Sequence, residues 1–560
     1  MIIYPTAKQA GILDKYTQER IGVPGIVLME RAANLTAETI IDRLHNAQKG
    51  IYSSKADSKL KDFSKDRDEI VIVAEGGNNG GDAVAVGRIL YCKGYKVRII
   101  DIDGISNKTD SFKKQIEIIQ KLGIRYTVLS EADDPSVCLL EIFKSIGHGI
   151  ICEGLFGVGL SRKVEGVHKD VIDMINKFSQ RGIYVVSIDI PSGINSNNGH
   201  IMGAAIRSDL TVTYQYIKYG MLVSSGREYS GDIVCDDIGI IQNSEPEWYE
   251  ELYTQYGDNN LVLYEYTKDE YMSRLPVRTA DSHKGTYGKV LIMAGSSDIY
   301  GAMYFAAAAT YGVGAGLVKV ITHKNNRDIL AEKLPEAMIL TYDDDGFDKI
   351  KVMEAVSWAD VMLLGPGIGT SDKTVGLFNY MLATAHTGQK IVMDADALNI
   401  ISQGDMNTYF SNLTNAVGKY NVVITPHPGE MARLYENLFN EEEDVRTVIQ
   451  DSPDMVAKTM AYKFGIIAVL KGARTYIAGS GNNIYVNTTG NSAMSKGGSG
   501  DVLAGILAGL IAGSGSQNIY DTVCTGVRLH GLAGDIARYR VGEYSMTARD
   551  LIFNIPNAMK

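Results

Sequence analysis

A chain of 560 residues is longer than one hydrophobic core usually serves, which predicts two or more domains. Its 45% apolar and 22% charged residues are ordinary for a globular protein, and a net charge of −11 argues against a nucleic-acid groove as a binding surface, though not against one phosphorylated ligand held by backbone amides. Five scattered cysteines without paired or metal-ligand spacing, an N-terminus without an apolar leader and no unbroken apolar helix of about 20 residues predict reduced thiols, most of them buried, and a cytoplasmic protein with no membrane partner.

Along the chain, residues 45–69 come first as a polar stretch rich in Lys, Ser and Asp, read as a solvated insertion. Short β-rich apolar runs then alternate with helical stretches, at 69–76, 95–101, 148–154, 184–193 and 209–214. A polar, acidic segment, 242–260, separates this series from a second one at 288–296, 317–322, 360–367, 390–396, 421–429 and 466–475. Strands flanked by Gly or Pro and separated by helices predict an α/β fold with parallel sheets covered on both faces, whose ligands bind at the carboxyl ends of the strands.

In the first series, "AEGGNNGGDAVAVGR" (74–88) follows a strand and opens a helix. It departs from a dinucleotide fingerprint because Asn78 and Asn79 stand between the glycine pairs, before Gly80, Gly81 and Asp82. Asparagine amides bind sugars or cations as well as phosphates. "ICEGLFGVGLSRKVEG" (151–166) supplies a carboxylate at a strand end and then a Gly-X-Gly turn, and "SIDIPSG" (187–193) supplies Asp189 and Ser192. Oxygens of Asn79, Glu153 and Ser192 suit one monovalent cation; each residue also suits a strand-end cap.

In the second series, "LLGPGIGTSD" (363–372) can bring backbone amides against a ligand. Asp394 and Asp396 of "DADALN" suit either a magnesium ion or a strand-to-helix cap. His427 is pinned between prolines in "TPHPGE" (425–430), and Lys471, Gly472 and Thr475 follow a strand in "LKGART" (470–475), where a lysine and a hydroxyl can hold a phosphate. "NSAMSKGGSGDVLAGILAGLIAGSG" (491–515) places Asp501 among glycines where a buried apolar helix begins. A helix N-terminus attracts anions, so Asp501 reads as a base beside a phosphate site or as a plain helix cap.

These second-series motifs, with "HKGTYGKVLIMAGSSDIYGAMYFAAAATYGVGAGLVKV", resemble in content and order the ribokinase-like NAD(P)H-hydrate dehydratases, over roughly residues 265–560. The resemblance implies nucleotide-dependent phosphorylation of the hydroxyl on a hydrated nicotinamide ring, followed by loss of phosphate. It implies Asp501 as the base, Lys471, Gly472, Ala473, Arg474, Thr475 and Gly500 facing the nucleotide, and Ala302, Gly369 and His427 lining the hydrated-coenzyme pocket. Mg2+ is the implied metal, and the fused form favours ADP as co-substrate. Ser499 stands where the family often has methionine or a small residue.

"IGVPGIVLMERAA" (21–33), "NNGGD" and "DIPSG" resemble the NAD(P)H-hydrate epimerase domain, over roughly residues 1–240. Implied substrate contacts are Asn78, Asn79, Gly80, Gly81 and Asp82, and then Gly157, Val158, Gly159, Leu160, Ser161, Arg162 and Lys163. Asp189 is the implied acid/base, and Asn79, Glu153 and Ser192 are the implied K+ ligands. Glu153 replaces the usual aspartate and Ala83 the usual glycine, the latter harmless if residue 83 is already helical.

The resulting expectation is two three-layer α/β/α domains, a Rossmann-like one at 1–241 and a ribokinase-like one at 265–560, joined by a linker at 242–264. Small-molecule substrates, no nucleic acid and a homo-oligomer are expected. The alternative is a ribokinase-like kinase of a small alcohol with a non-catalytic N-terminal binding domain.

Overall fold

The computed structural model describes all residues except 104–107, 259, 437, 439–443 and 516–517. The chain forms two compact units, Ile3–Asn260 and Leu261–Lys560, the second also taking in Met1–Ile2.

Strands are numbered in chain order. β1 (Ile2–Ile3) belongs to the C-terminal sheet. The N-terminal sheet holds β2 (Glu69–Ala74), β3 (Lys96–Asp101), β4 (Arg125–Val128), β5 (Ile150–Gly154), β6 (Tyr184–Ile188), β7 (Leu210–Tyr214) and β8 (Asp232–Asp236). Their order is β4-β3-β2-β5-β6-β7-β8, every pair parallel.

Every residue of β2, β5, β6 and β7 is buried, which explains their continuous apolar character. Alternate β2 residues serve different cores. Ile70 and Ile72 pack with the helices Gly25–Gln48 and Asn78–Cys92, while Val71 and Val73 pack with Pro135–Ser145 and Gly166–Ser179. The chain leaves β2 toward β3 on one side and returns to β5 on the other, so a crevice opens where their carboxyl ends diverge.

The 45–69 stretch is largely exposed, but it is anchored: the helix Gly25–Gln48 runs into it, and Leu60 and Phe63 enter the core beside Ile70. The buried Asp57 accepts hydrogen bonds from Arg43 Nη1 (2.9 Å) and Tyr184 Oη (2.9 Å), so its charge serves a buried network. A high polar content concealed these anchors.

The C-terminal sheet adds β9 (Val262–Glu265), β10 (Lys289–Met293), β11 (Leu317–His323), β12 (Met338–Tyr342), β13 (Val361–Leu364), β14 (Lys390–Met393), β15 (Val422–Ile424), β16 (Ile467–Leu470), β17 (Thr475–Ala478) and β18 (Asn483–Asn487). The order is β1-β9-β18-β17-β16-β15-β14-β13-β10-β11-β12. β16 to β18 form antiparallel pairs, whereas β10 to β16 are joined by parallel ones. The reversal at β10, flanked by β11 and β13, makes a second switch point. The amino group of Met1 pairs with Glu270 at 2.9 Å beside the edge that β1 forms on β9. The acidic segment after residue 242 contains the helix Pro246–Gln255, with Tyr249 and Tyr253 buried.

Over this sheet the helices Gly301–Gly312 and Ser499–Gly513 pack at backbone distance. A Cβ on Gly505 would stand 2.2 Å from the Ala306 carbonyl oxygen, and Thr310 Oγ1 donates to Gly505 O at 3.0 Å. All residues from Val502 to Ile511 are buried, as the apolar run predicts.

All five cysteines are free, but only Cys152 and Cys524 are buried; Cys92 and Cys235 are exposed, because they lie at a helix end and on the edge strand β8. Among the described residues no helix is long and apolar enough to cross a membrane.

Gly505→Val is expected to destabilise the C-terminal unit at the upper end of about 1–3 kcal/mol by forcing its helices apart. Differential scanning calorimetry of the full chain would show this as a lowered C-terminal transition.

Candidate active sites

At the N-terminal switch point lies a cavity of about 810 Å³. Asn78, Asn79 and Asp82 reach it from the start of the helix Asn78–Cys92, and Gly157 to Arg162 from the loop after β5; Asp189 follows β6. Gly80 and Gly81 do not line it. A Cβ on Gly80 would meet the Glu75 carbonyl oxygen at 1.6 Å, so this glycine permits the tight turn. Lys163 is exposed beyond the lining. Ala83 is helical and fully buried, so the methyl group is accommodated.

Three of the predicted residues gather beneath the cavity. The Glu153 carboxylate is wholly buried on β5. Its Oε2 accepts from Ser192 Oγ at 2.5 Å and Leu155 N at 3.2 Å; its Oε1 accepts from Ser192 N at 3.1 Å and from Ser187 Oγ. Burial raises the Glu153 carboxyl above its usual range, against these hydrogen bonds. No ion pair reaches it among the described residues. Asn79 packs against the same loop: its side chain is in contact distance of a Cβ placed on Gly157, and its Nδ2 is buried without a hydrogen-bond partner.

Asp189 adopts φ 64°, a left-handed conformation unusual for a residue other than glycine. Its N–H donates to Val212 O at 2.8 Å. Its Oδ1 accepts from Thr213 Oγ1 at 3.3 Å and pairs with the buried Lys218 ammonium, which also donates to Thr213 Oγ1 at 2.9 Å. Sequence reading missed Lys218, together with Asp14, Tyr214 and Tyr216, all of which line the cavity. Burial pushes the Asp82 carboxyl well above the usual range, and the Asp189 charge adds to it. Asp14 is raised by burial, against a hydrogen bond from Gln18 and with help from Asp189. Asp14, Asp82 and Asp189 thus line one cavity with the Lys218 ammonium, which pairs with Asp189.

In the C-terminal unit, Asp394 after β14 and Lys471 after β16 meet the N-terminus of Ser499–Gly513, and the loops after β13 and β15 pack against Asp394. The helix starts at Ser499 after Gly498, whose φ is 94° and which makes no side-chain cap. Asp501 therefore lies inside the first turn and is not the N-cap. Burial raises its carboxyl to about 6; Asp394 and Asp396 push the same way, and Lys471 opposes.

Lys471 Nζ donates to Asp394 Oδ1 at 2.6 Å and stands 4.0 Å from Glu430 Oε2. A Cβ on Gly500 would be 3.5 Å from Lys471 Nζ and 3.7 Å from Asp394 Oδ2, which brings glycine loop, lysine and aspartate together. Asp394 also accepts from Thr425 Oγ1 at 2.7 Å. Asp394 thus belongs to a buried charge pair, and Asp396 accepts from the Gly369 N–H at 2.9 Å.

His427 is exposed; its Nδ1 accepts from Gly429 N at 3.0 Å and its backbone N–H donates to Glu430 Oε2 at 2.8 Å. Ala302 meets the loop after β13, since a Cβ on Gly367 would lie 3.0 Å from the Ala302 methyl. Arg474 donates to Thr488 O at 2.8 Å and Thr475 opens β17 opposite Asn487, so both are engaged in the β-hairpin, with Gly472 and Ala473 in the preceding turn. The buried Glu430 is the participant whose importance the sequence concealed.

Fold and sites define a two-unit α/β enzyme, a Rossmann-like sheet and a ribokinase-like one, each gathering polar loops at the carboxyl ends of its strands. The NAD(P)H-hydrate dehydratase family matches residues 290–557, and the family described as YjeF-related protein N-terminus matches residues 25–220. The chain is 32% identical over 566 residues to the bifunctional NAD(P)H-hydrate repair enzyme Nnr of Moorella thermoacetica, covering 99% of this chain and 96% of that protein. It is 30% identical over 557 residues to the Nnr of Thermofilum pendens, covering 98% and 94%. A crystal structure of the ADP/ATP-dependent NAD(P)H-hydrate dehydratase from Bacillus subtilis, co-crystallised with ATP/Mg2+, is 28% identical, covers 52% of this chain and 96% of that one, and aligns with a TM-score of 0.44. The chain belongs to the family of bifunctional NAD(P)H-hydrate repair enzymes.

Any activity that needs the Asp501 carboxylate should fall about tenfold per pH unit below about 6. Because the Lys471 charge holds this carboxyl down, Lys471→Met should move the acidic limb of the pH–rate profile to higher pH. An unmoved limb would separate the two groups electrostatically.

Proposed function

We propose that this chain repairs hydrated NADH and NADPH, the N-terminal unit interconverting the R and S hydrates and the C-terminal unit dehydrating the S form at the expense of ADP, giving AMP and phosphate. The observation that carries the reading is Asp501, a half-buried carboxylate raised to about 6 beside Gly500 and the Lys471–Asp394 pair.

In the dehydratase step Asp501 removes the proton of the ring hydroxyl as its oxygen attacks the terminal phosphorus of the nucleotide, and the phosphorus–oxygen bond to AMP breaks. The ring nitrogen lone pair then expels phosphate, a far better leaving group than hydroxide, and loss of a proton from the adjacent carbon restores the ring. Free N–H groups at the start of Ser499–Gly513, including that of Gly500, and the Lys471 ammonium balance the phosphoryl charge. Ala302, Gly369 and His427 border the coenzyme side, and the turn from Gly472 to Thr475 borders the nucleotide. Mg2+ would enter on the nucleotide phosphates, near Asp394 and Asp396, and would supply charge neutralisation there. Among the described residues these carboxylates do not converge as a three-ligand cage, which suits an ion that keeps mostly phosphate and water ligands.

In the epimerase step Asp189, held by Lys218, is the acid/base at the ring. Protonation lets the hydroxyl leave as water with the ring nitrogen lone pair behind it, and water returns to either face of the planar cation. Asn78, Asn79, Asp82 and the 157–163 loop hold the coenzyme. A buried Glu153 without a cationic partner among the described residues, and the two serine hydroxyls beside it, fit K+ as the resident ion, with the Asn79 side-chain oxygen as a further ligand; its charge would steady the loop after β5. The substrates are small molecules, and assembly as a homo-oligomer and a cytoplasmic location complete the proposal.

The test uses the full chain and pure R hydrate. Without ADP the S form should appear; with ADP the absorbance of the reduced ring should return. A stable phosphorylated small alcohol in place of recovered NADH would mark a kinase instead. Asp501→Ala should reduce dehydration to background with ADP still bound by calorimetry, while Asp189→Ala should abolish epimerisation and leave dehydration of S hydrate intact. Replacing K+ with tetramethylammonium should slow epimerisation alone.

A further inference from the structure

Three ligating side chains that take no part in the steps above converge at the rim of the N-terminal cavity. Glu75 follows β2, Asp103 follows β3, and His168 lies in the first turn of Gly166–Ser179. β2 and β3 are parallel neighbours with Ala74 opposite Asp101, so their carboxyl ends present the two acids side by side. The helix returning after β5 brings the imidazole to them.

One oxygen of each carboxylate and a ring nitrogen of His168 all lie within 4.8 Å of one another. His168 Nε2 is 3.4 Å from Asp103 Oδ2 and 3.8 Å from Glu75 Oε1. Neither approach is a hydrogen bond: Nε2 is buried and has no hydrogen-bond partner. A buried polar nitrogen left unmatched is costly, and the Phe156 ring, 5.1 Å away between centroids, shields it further. At metal–ligand bonds of about 2.1 Å the edge of a coordination tetrahedron is about 3.4 Å, matched by the His168–Asp103 separation and approached by the His168–Glu75 one, so small side-chain shifts close the site on an ion.

We propose that Glu75, Asp103 and His168 form a binding site for a first-row divalent transition metal of the zinc or manganese kind. One imidazole nitrogen with two carboxylates suits such an ion and disfavours Mg2+ and Ca2+, which take oxygen ligands. Three protein ligands leave a position open for water or an anion. Glu75 also lines the cavity, so the ion stands at its lip. Two carboxylates there would repel an entering phosphate-bearing coenzyme, and a divalent ion cancels them; this consequence rests on the function proposed above, whereas the site does not.

The experiment takes the full chain, freed of metal by chelation, and titrates it calorimetrically with Zn2+ in the absence of hydrate and nucleotide. One equivalent should bind, excess Mg2+ should not displace it, and crystals grown with Zn2+ should show anomalous density between the three side chains. His168→Ala and Asp103→Asn should each weaken binding by about tenfold or more, with circular dichroism reporting that they remain folded. Should the alanine variant fail to fold, the near-isosteric Asp103→Asn decides. No binding to the unaltered chain, unchanged affinity in the folded variants, or anomalous density elsewhere would overturn the proposal. Because the readout is metal affinity, failure here leaves the repair reading standing, and failure of the repair assays leaves this site standing.

Discussion

The chemistry of the C-terminal unit depends on how closely two helices can approach. Gly505 and Gly509 let Ser499–Gly513 settle on Gly301–Gly312 with backbone against backbone. That approach carries the first turn of the helix, and Asp501 with it, into a pocket already holding Lys471 and Asp394. Partly withdrawn from water, Asp501 loses hydration that favours its charged form, and the neighbouring aspartates repel it, while Lys471 compensates in part. The carboxyl is thereby poised where it can both accept and release a proton near neutrality, which an exposed aspartate cannot do well.

The N-terminal unit solves a related problem differently. Glu153 and Asp189 follow the same switch-point logic, at or just past the ends of adjacent strands, but their surroundings diverge. Glu153 is held by hydroxyls and amides, so its charge is solvated by dipoles alone. Asp189 is met by an ammonium, Lys218, and forced into a left-handed backbone turn that fixes its direction. Two carboxylates on one sheet thus meet different surroundings, the first dipoles alone and the second a full positive charge.

Much of the architecture was legible because it rests on local signals. All eleven apolar runs contain strands, since parallel strands buried on both faces must be continuously apolar. The strands not foreseen, such as β4, β8 and β12, lie at or next to sheet edges, where partial exposure dilutes the pattern; β17 and β18 are short and antiparallel. The loops bearing Asp501, Asp189 and Glu153 announced themselves through glycine and proline. Lys218 and Asp14 did not, because each is a single polar residue without a motif, and Glu430, though it closes the "TPHPGE" stretch, is made important only by what the fold sets beside it. The same reason hid Asp57, whose partners Arg43 and Tyr184 come from distant parts of the chain. The hydrogen bond from the Gly369 N–H to Asp396 was hidden in the same way, because the two residues are distant in the chain.

The short strand at the chain's start has a practical bearing on anyone wishing to separate the two halves. Because Ile2–Ile3 completes the edge beyond β9, a fragment beginning at Leu261 would surrender its outermost strand and the Met1–Glu270 pair together. The newly bared backbone of β9 would offer unpaired N–H and C=O groups to any passing chain. Carving out the ribokinase-like half therefore calls for grafting those first residues ahead of β9, so that the cut piece does not stick to itself.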